Sequence, residues 1–544
     1  MPNHSRALAF LSGMAAVIAT PAHANWRVAE TEHFIYYSEA PADELVETVS
    51  RMETFDTLVR ALTGNTRPAS PVKVTMFEVA DMDEVNATFP YPMQGVGGYY
   101  NSTADGPFLV TFRNVLRAGR NSAKKASRQS YDWGPEVRQH EYLHHYMYQY
   151  FNANYPSWYS EGFAEYYGTM AFPETNVVEI GHAPYFRIDT IRGNSWLPTR
   201  KLLTAKSYSD VGDDIGQLYA QGWLLTHLGA QNKERGAQLQ RYLKAVATGV
   251  PYEKAATDSF GDLDALDKEL RQHKSNIQAM RLSLKPMDFG EIPVRELNDM
   301  ESQLMRYRIR LYSGYPVSAL PKIISAVADI RKAAPENVMG LEIQSQLENL
   351  AGRHAAALET AEHLLRVDPN NVIGLTEKGE ALVGQLARGA SEDQLTAARE
   401  PLHRAIALSA VATAPRVALF KSFLQQGALP SLVAQNHMVE AFQLLPQNEE
   451  IRYLLARDFE NRGLVDDAIA IIEPAAYGAF DGDEKEKKRR GKLVATYAEK
   501  YTNIDNYETP RDMLDRLEAK KDGRFDEKTG AITPKPQPAE VTAS

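Results

Sequence analysis

Short apolar runs alternate with longer helical patterns over the first half of the chain, and helical patterns alone fill the second half. From Trp26 to about Phe112 the runs Phe34–Tyr37, Val72–Phe77 and Phe108–Phe112 read as strands, with a helix between Ala42 and Leu62. This predicts an α+β lobe. Gly134-Pro135 then marks a helix start with proline in its first turn, and Asn152 to Pro156 marks its end. A second helix is predicted near Ser157, a residue type suited to the N-cap. Phe172 to Asp213, punctuated by Pro173, Pro184, Gly193 and Pro198, reads as irregular and is expected to wall a cleft. Ile215–His227, Gly236–Ala247 and Leu263–His273 read as helices that complete a domain by about residue 280.

Lys285 to Pro293 reads as a linker, and beyond it the composition turns to leucine, alanine and glutamate. Pro335 and Pro369 stand 34 residues apart, the tetratricopeptide period. Gly352 follows Pro335 by 17 residues, Gly463 follows Pro446 by 17, and each glycine has an alanine five residues on, Ala357 and Ala468. Small residues at these places permit close packing where the helices of a pair cross. Pro415 fits a further boundary, with an insertion near Gly389 to Gln394 lengthening its unit. Residues 296–500 are therefore expected to form three or four helical pairs of a degenerate all-α solenoid. Such a solenoid either offers a surface to a protein partner or supports the domain before it. The tail from Thr529, with Pro534, Pro536 and Pro538, is expected to be disordered.

Residues 1–24 change the picture of where the chain works. Arg6, an apolar run from about Ala7 to Ile18 and Ala22-His23-Ala24 form a signal-peptide pattern. Export to a periplasmic or secreted location is the expectation. The run is too short, and too broken by Ser12 and Gly13, for a membrane span, and no later segment approaches about twenty apolar residues. No integral span is expected once the signal is removed. The net charge of −10 falls to −11 on loss of Arg6, which argues against a nucleic-acid partner. The absence of cysteine excludes disulfides, thiol catalysis and a lipid-modified N-terminal cysteine.

The chemistry is concentrated between Pro135 and Tyr167. His140, Glu141 and His144 form HExxH, in which two imidazoles four residues apart share one helix face and can reach one metal ion. His145 points about 100° away and is expected to be structural. A catalytic zinc takes three protein ligands and leaves a position open, so a third ligand must come from elsewhere. Glu161, separated from His144 by sixteen intervening residues, would face back from the second helix. Glu165, one turn on, could accept a ring N–H of a liganding histidine and fix its tautomer.

Trp158-Tyr-Ser-Glu161-Gly-Phe-Ala closely resembles the Trp-x-x-Glu-Gly-Phe-Ala segment of aminopeptidase-N-like enzymes. With HExxH it resembles the gluzincin metallopeptidases, the clan that also holds the thermolysin-like enzymes. The gap before Glu161 is slightly shorter than in those enzymes and is more similar to the bacterial peptidase-MA-like families. Leu218-Tyr219-Ala-Gln-Gly222 resembles the Tyr-x-x-Gly segment carrying the transition-state tyrosine. The resemblance covers about residues 30 to 275. It implies one zinc ion per chain held by His140, His144 and Glu161, with Glu141 as general base, Tyr219 as oxyanion donor and Glu165 supporting a ligand. It also implies an edge strand that holds extended substrate by backbone pairing. Gly95 to Tyr100 is the candidate stretch, which makes Gly97, Gly98 and Tyr99 substrate-binding candidates. That stretch lacks the glutamate with which aminopeptidase-N-like enzymes hold a substrate amino terminus, which argues against aminopeptidase activity and favours cleavage inside a chain or an unusual substrate.

The expected fold class is thus an α+β zincin-type metallopeptidase domain over residues 25–280, then a linker over 281–295, then an all-α tetratricopeptide-like helical solenoid. A C-terminal helix and tail fill 501–544. The expected function is zinc-dependent hydrolysis of a peptide or protein substrate. The alternatives are a solenoid interaction protein carrying an inactive zincin-like domain, and hydrolysis of a non-protein amide such as a cell-wall peptide. Arg113, Arg117, Arg120, Lys124, Lys125 and Arg128, just before the metal helix, read as a solvated loop, or more sharply as a flap for anionic groups.

Overall fold

The structure is a computed structural model that describes residues 25–113, 133–151, 155–478 and 508–534. The signal-peptide pattern, residues 114–128 of the basic segment, the turn at 152–154, the stretch 479–507 and the last ten residues lie outside the described residues. The first region contains β1 (Arg27–Glu30), β2 (Phe34–Ser38), α1 (Ala42–Thr63), β3 (Val74–Val79), α2 (Met82–Ala87), β4 (Tyr99–Thr103), β5 (Gly106–Phe112), α3 (Gly134–Tyr150) and α4 (Ser157–Gly168). It continues through β6 (Ala171–Glu174), β7 (Val177–Ile180), α5 (Ile188–Arg192), α6 (Thr199–Thr204), α7 (Ile215–Gln231), α8 (Lys233–Ala247), α9 (Tyr252–Phe260), α10 (Leu263–His273), β8 (Met280–Ser283) and β9 (Val294–Glu296).

Six strands form one mixed sheet in the order β4-β5-β3-β2-β1-β9, with β2, β3 and β5 mutually parallel and the other pairs antiparallel. Every residue of β3 and β5 is buried, as a strand covered on both faces requires. One face packs against α1, α3 and α4 through Phe34, Tyr36, Met76, Leu109, Phe55, Tyr142 and Phe163. Helices from beyond residue 296 cover the other face, where Met300, Leu304 and Met305 meet Tyr37, Phe77, Phe108 and Val110. The N-terminal α/β domain therefore shares its core with the start of the helical region.

That sharing corrects the expected linker over 281–295. Its start belongs to β8, which pairs with β7, and its end to β9, which pairs with β1, while Ile292 between them is buried in the core. Two further corrections fall in the first region. Phe172 to Asp213 is not irregular throughout but holds the β6–β7 hairpin, α5 and α6. Ser157 is already helical, and Pro156, whose ring fixes φ, takes the cap position without a side-chain bond.

The helical region comprises α11 (Asp299–Ser313), α12 (Leu320–Arg331), α13 (Val338–Leu350), α14 (His354–Val367), α15 (Val372–Gln385), α16 (Glu392–Leu408), α17 (Ala414–Gln425), α18 (Leu432–Leu444), α19 (Glu449–Asn461) and α20 (Val465–Gly478), with α21 (Pro510–Lys521) packed on α20. These are five successive pairs rather than the three or four expected, because the pair α11–α12, which covers the sheet, lacks the proline signature. Val338 and Val372, which open α13 and α15, stand 34 residues apart. Asn337, Asn371 and Asn448 each lie two residues after a proline, at 335, 369 and 446, and each caps its helix by accepting the third backbone N–H. Gly352 and Gly463 have φ of +72° and +78°, so their role is the left-handed turn that ends a helix, while Ala357 and Ala468 supply the close packing at 0 % exposure. Thr529 to Pro534, expected as disordered, is drawn back by a bridge between Phe525 and Ile532.

Candidate metal centre

Two side chains anchor α3 against its surroundings. The buried Arg138 guanidinium donates to Glu78 at 2.5 Å and to the Tyr36 hydroxyl at 2.6 Å, pinning the helix to the sheet. Glu78 also accepts from Ser38 and Tyr36, so the buried charges are fully partnered. Gln139 donates to the carbonyls of Gly168 and Met170, tying α3 to the end of α4. Pro135 opens the helix and leaves His140 to His144 in its middle, where backbone geometry is regular.

His140 Nε2 and His144 Nε2 lie 3.1 Å apart, and Glu161 Oε2 on α4 stands 3.3 Å from the first and 3.6 Å from the second. Glu161 is 3 % exposed, and its Oε2 is a buried oxygen without a hydrogen-bond partner. Donor atoms around a tetrahedral zinc with bonds of about 2.0–2.2 Å are separated by about 3.3 Å. Two imidazole nitrogens and an orphaned carboxylate oxygen at these distances fit one such ion, and this is the one His/Asp/Glu group of that kind among the described residues. Burial opposes charge on His140, but Glu161 with the nearby Glu165 and Glu141 raises it to about 9. Against its own burial, Glu161 is held down to about 2 by the two histidines. Burial lowers His144 to about 4 and raises Glu141 to about 7.

Glu141 lies on the same helix, one residue from His140, and faces the backbone N–H of Tyr100 on the edge strand β4. The close approach depends on Gly98, where a Cβ would stand 2.6 Å from Val137 Cγ1 and 3.1 Å from Glu141 Cγ. Gly97 sits beside it against Val137 and Phe112. Tyr99 departs from expectation: its ring packs on Phe89 and Phe108 and its hydroxyl bonds Thr88 and Ser313, on the sheet face opposite the histidines. Side chains alternate along a strand, so the Tyr100 side chain turns to the α3 side of the sheet instead, its hydroxyl 3.4 Å from His145 Nδ1. His145 is buried and held down to about 3 by that burial, as a neutral structural histidine.

Glu165 also departs from its expected role. It accepts from Arg187 Nε at 2.7 Å rather than from an imidazole, because the chain after β7 brings Arg187 between α4 and α7. The Arg187 guanidinium lies 4.3 Å from the centre of the Tyr219 ring, which places Tyr219 beside Glu161 and Glu165. Burial pushes the Tyr219 hydroxyl well above its ordinary value. Helix α7 reaches this position because α4 and α7 cross through glycine on both sides, Gly162 and Gly222.

Tyr208 was not singled out from the sequence, yet its hydroxyl donates to Glu161 Oε1 and leaves Oε2 to face the histidines. It belongs to the segment read as irregular, where no periodicity marks a functional side chain. Tyr208→Phe should weaken zinc binding by about 10- to 100-fold, as loss of a ligand-orienting bond does, measured by competition with a chelator of known affinity.

No protein-family model and no curated protein sequence matches this chain. Among solved structures it is similar to a thermophilic TPR protein in Thermus thermophilus, at 18 % identity over 36 % of this chain and 92 % of that one, with a TM-score of 0.27.

Proposed function

We propose that the protein is a zinc-dependent metallopeptidase of gluzincin type, exported by its N-terminal signal. The observation that supports this best is the convergence of His140, His144 and Glu161 beside Glu141 and the edge of β4. Zinc held there supplies a Lewis acid that polarises a carbonyl and makes water acidic enough to react near neutral pH. The edge strand orients an extended peptide by its backbone. Glu141 takes a proton from the attacking water as the new C–O bond forms, and returns it to the amide nitrogen as the C–N bond breaks. Tyr219 donates to the oxygen that gains negative charge, a bond strongest in the transition state, so it serves turnover more than binding. The Tyr208 hydroxyl orients Glu161, and Arg187 neutralises Glu165 beneath it.

The helical region has the tetratricopeptide-like spacing of a partner-binding solenoid, and part of it is already engaged within the chain. Thr413 donates to the Ala104 carbonyl at the tip of the β4–β5 hairpin, and Val72 and Ala104 pack on the core of α17, α18 and α19. We assign this part a supporting role and leave the outer helices to a protein partner. No described helix is long and apolar enough to cross a membrane.

The direct test is hydrolysis of unfolded casein by the full mature chain. Degradation that a zinc chelator stops and added zinc restores is the expected result. Absence of hydrolysis by zinc-loaded protein on casein and on short peptides alike would overturn the proposal.

A further inference from the structure

We infer that the helical repeats set the substrate class of this site, by closing one end of the strand edge beside Glu141 so that it acts near a free end of an extended peptide. The inference rests on the peptidase reading above and adds to it a limit on length, which replaces the cleavage inside a chain expected from the missing glutamate.

Strand β4 is the edge of the sheet, so half of its backbone groups face outward. Ser102 pairs with Pro107, which has no N–H, so this is a position where both residues turn their backbone groups away from each other. Ser102 therefore points to the free edge, and by alternation so do Tyr100 and Gly98. At Ser102 that edge is already taken. Its carbonyl accepts from Asn448 Nδ2 of the helical region at 2.9 Å, and its N–H donates to the neighbouring Asn101 side chain at 2.8 Å. Tyr100, whose N–H faces Glu141, is two residues away, or about 7 Å along a strand. A peptide paired with β4 thus meets Asn448 within about two residues of the reaction centre.

What lies behind Asn448 is a wall. Gln447, Glu449 and Arg452, with Pro474 and Ala475 of α20, line a half-open cavity of about 130 Å³ together with Tyr100, Asn101 and Tyr148. Tyr148 is one turn beyond His144 on α3, so this cavity adjoins the metal centre. The wall is held by the hairpin contacts of Thr413 and Val72, by Gln149 donating to the Leu444 carbonyl at 3.4 Å, and by packing of α20 on α4. Interior bonds of long chains need a cleft open at both ends. This one is blocked on the Ser102 side.

The test compares one peptide sequence as a linear chain, with its amino end blocked, with its carboxyl end blocked, and cyclised head to tail, using zinc-loaded full-length protein and mass spectrometry of the products. The linear peptide should be cut within two residues of one end. Blocking that end should slow cleavage by about tenfold or more, the equivalent of one good hydrogen bond, and the cyclic form should stay intact. Cleavage of the cyclic form at a rate comparable to the linear one overturns the inference while leaving the peptidase reading standing. Absence of cleavage of every form and of casein overturns the peptidase reading and the inference with it.

Asn448→Asp provides the second arm. It keeps the acceptor that caps α19 at Ile451 N–H but sets an oxygen against the Ser102 carbonyl. Products cut three or more residues from the end should rise about tenfold, with cleavage near the end retained. A product pattern identical to the natural protein overturns the assignment.

Discussion

Glu141→Gln should keep its zinc and lose peptide hydrolysis by about 10²- to 10⁴-fold, the usual contribution of a positioned general base. The glutamine has the shape of the glutamate and can still meet the Tyr100 edge, so the helix and the three ligands need not move. What it lacks is a lone pair basic enough to take the proton of the attacking water. Burial opposes the charge on Glu141, the direction that makes a carboxylate a stronger base than in water. The check is turnover beside metal content for both proteins. Hydrolysis at the natural rate with zinc bound would remove Glu141 from the mechanism.

Gly222→Ala should destabilise the protein by about 3 kcal/mol or more, because it overfills a backbone contact that has no room to relax. A Cβ there would stand 2.3 Å from the Trp158 carbonyl oxygen, and one on Gly162 would stand 2.4 Å from the Gly222 carbonyl. Both obstacles are helix backbone, which cannot swing aside as a side chain can. The crossing also sets the distance from Tyr219 to Glu161, so activity should fall with stability. Gly216→Ala, on the same helix with open space at its Cβ, should change stability by no more than about 1 kcal/mol. Denaturant unfolding of the two variants makes the comparison, and equal midpoints would show that the helices cross elsewhere.

The clustering of His140, His144 and Glu161 was legible because it is nearly local. Helix periodicity alone puts His140 and His144 on one face, and a short connection returns Glu161 to them. The elements α3, α7 and α10 were legible for the same reason, since their patterns are long and their starts marked. Tyr99 and Tyr100 could not be told apart until the register of β4 was known, as one residue of slip exchanges the two faces. Tyr208 and Arg187 come from a segment whose shape is dictated by the helices it lies against, so nothing near them in sequence marks them. Glu165 shows the cost of reasoning within one helix: the right face was found, but its partner arrives from another part of the chain.

The helical region illustrates the same boundary. The 34-residue period predicted helical pairs, and the Pro-x-Asn step before α13, α15 and α19 was present as a cap signal. Their docking on the sheet depends on contacts between residues hundreds of positions apart, such as Ser102 with Asn448. Composition drew a linker at 281–295 where the fold has β8, β9 and a shared core.

The central claim is that His140, His144 and Glu161 hold one metal ion, and metal content per chain tests it most directly. The mature protein, purified without a polyhistidine tag, is compared with Glu161→Gln after both are exposed to zinc and freed of excess. About one zinc per natural chain and a small fraction of that in the variant is the predicted result, since a catalytic site of this type needs all three ligands. Equal zinc in both proteins, or none in either, would contradict it.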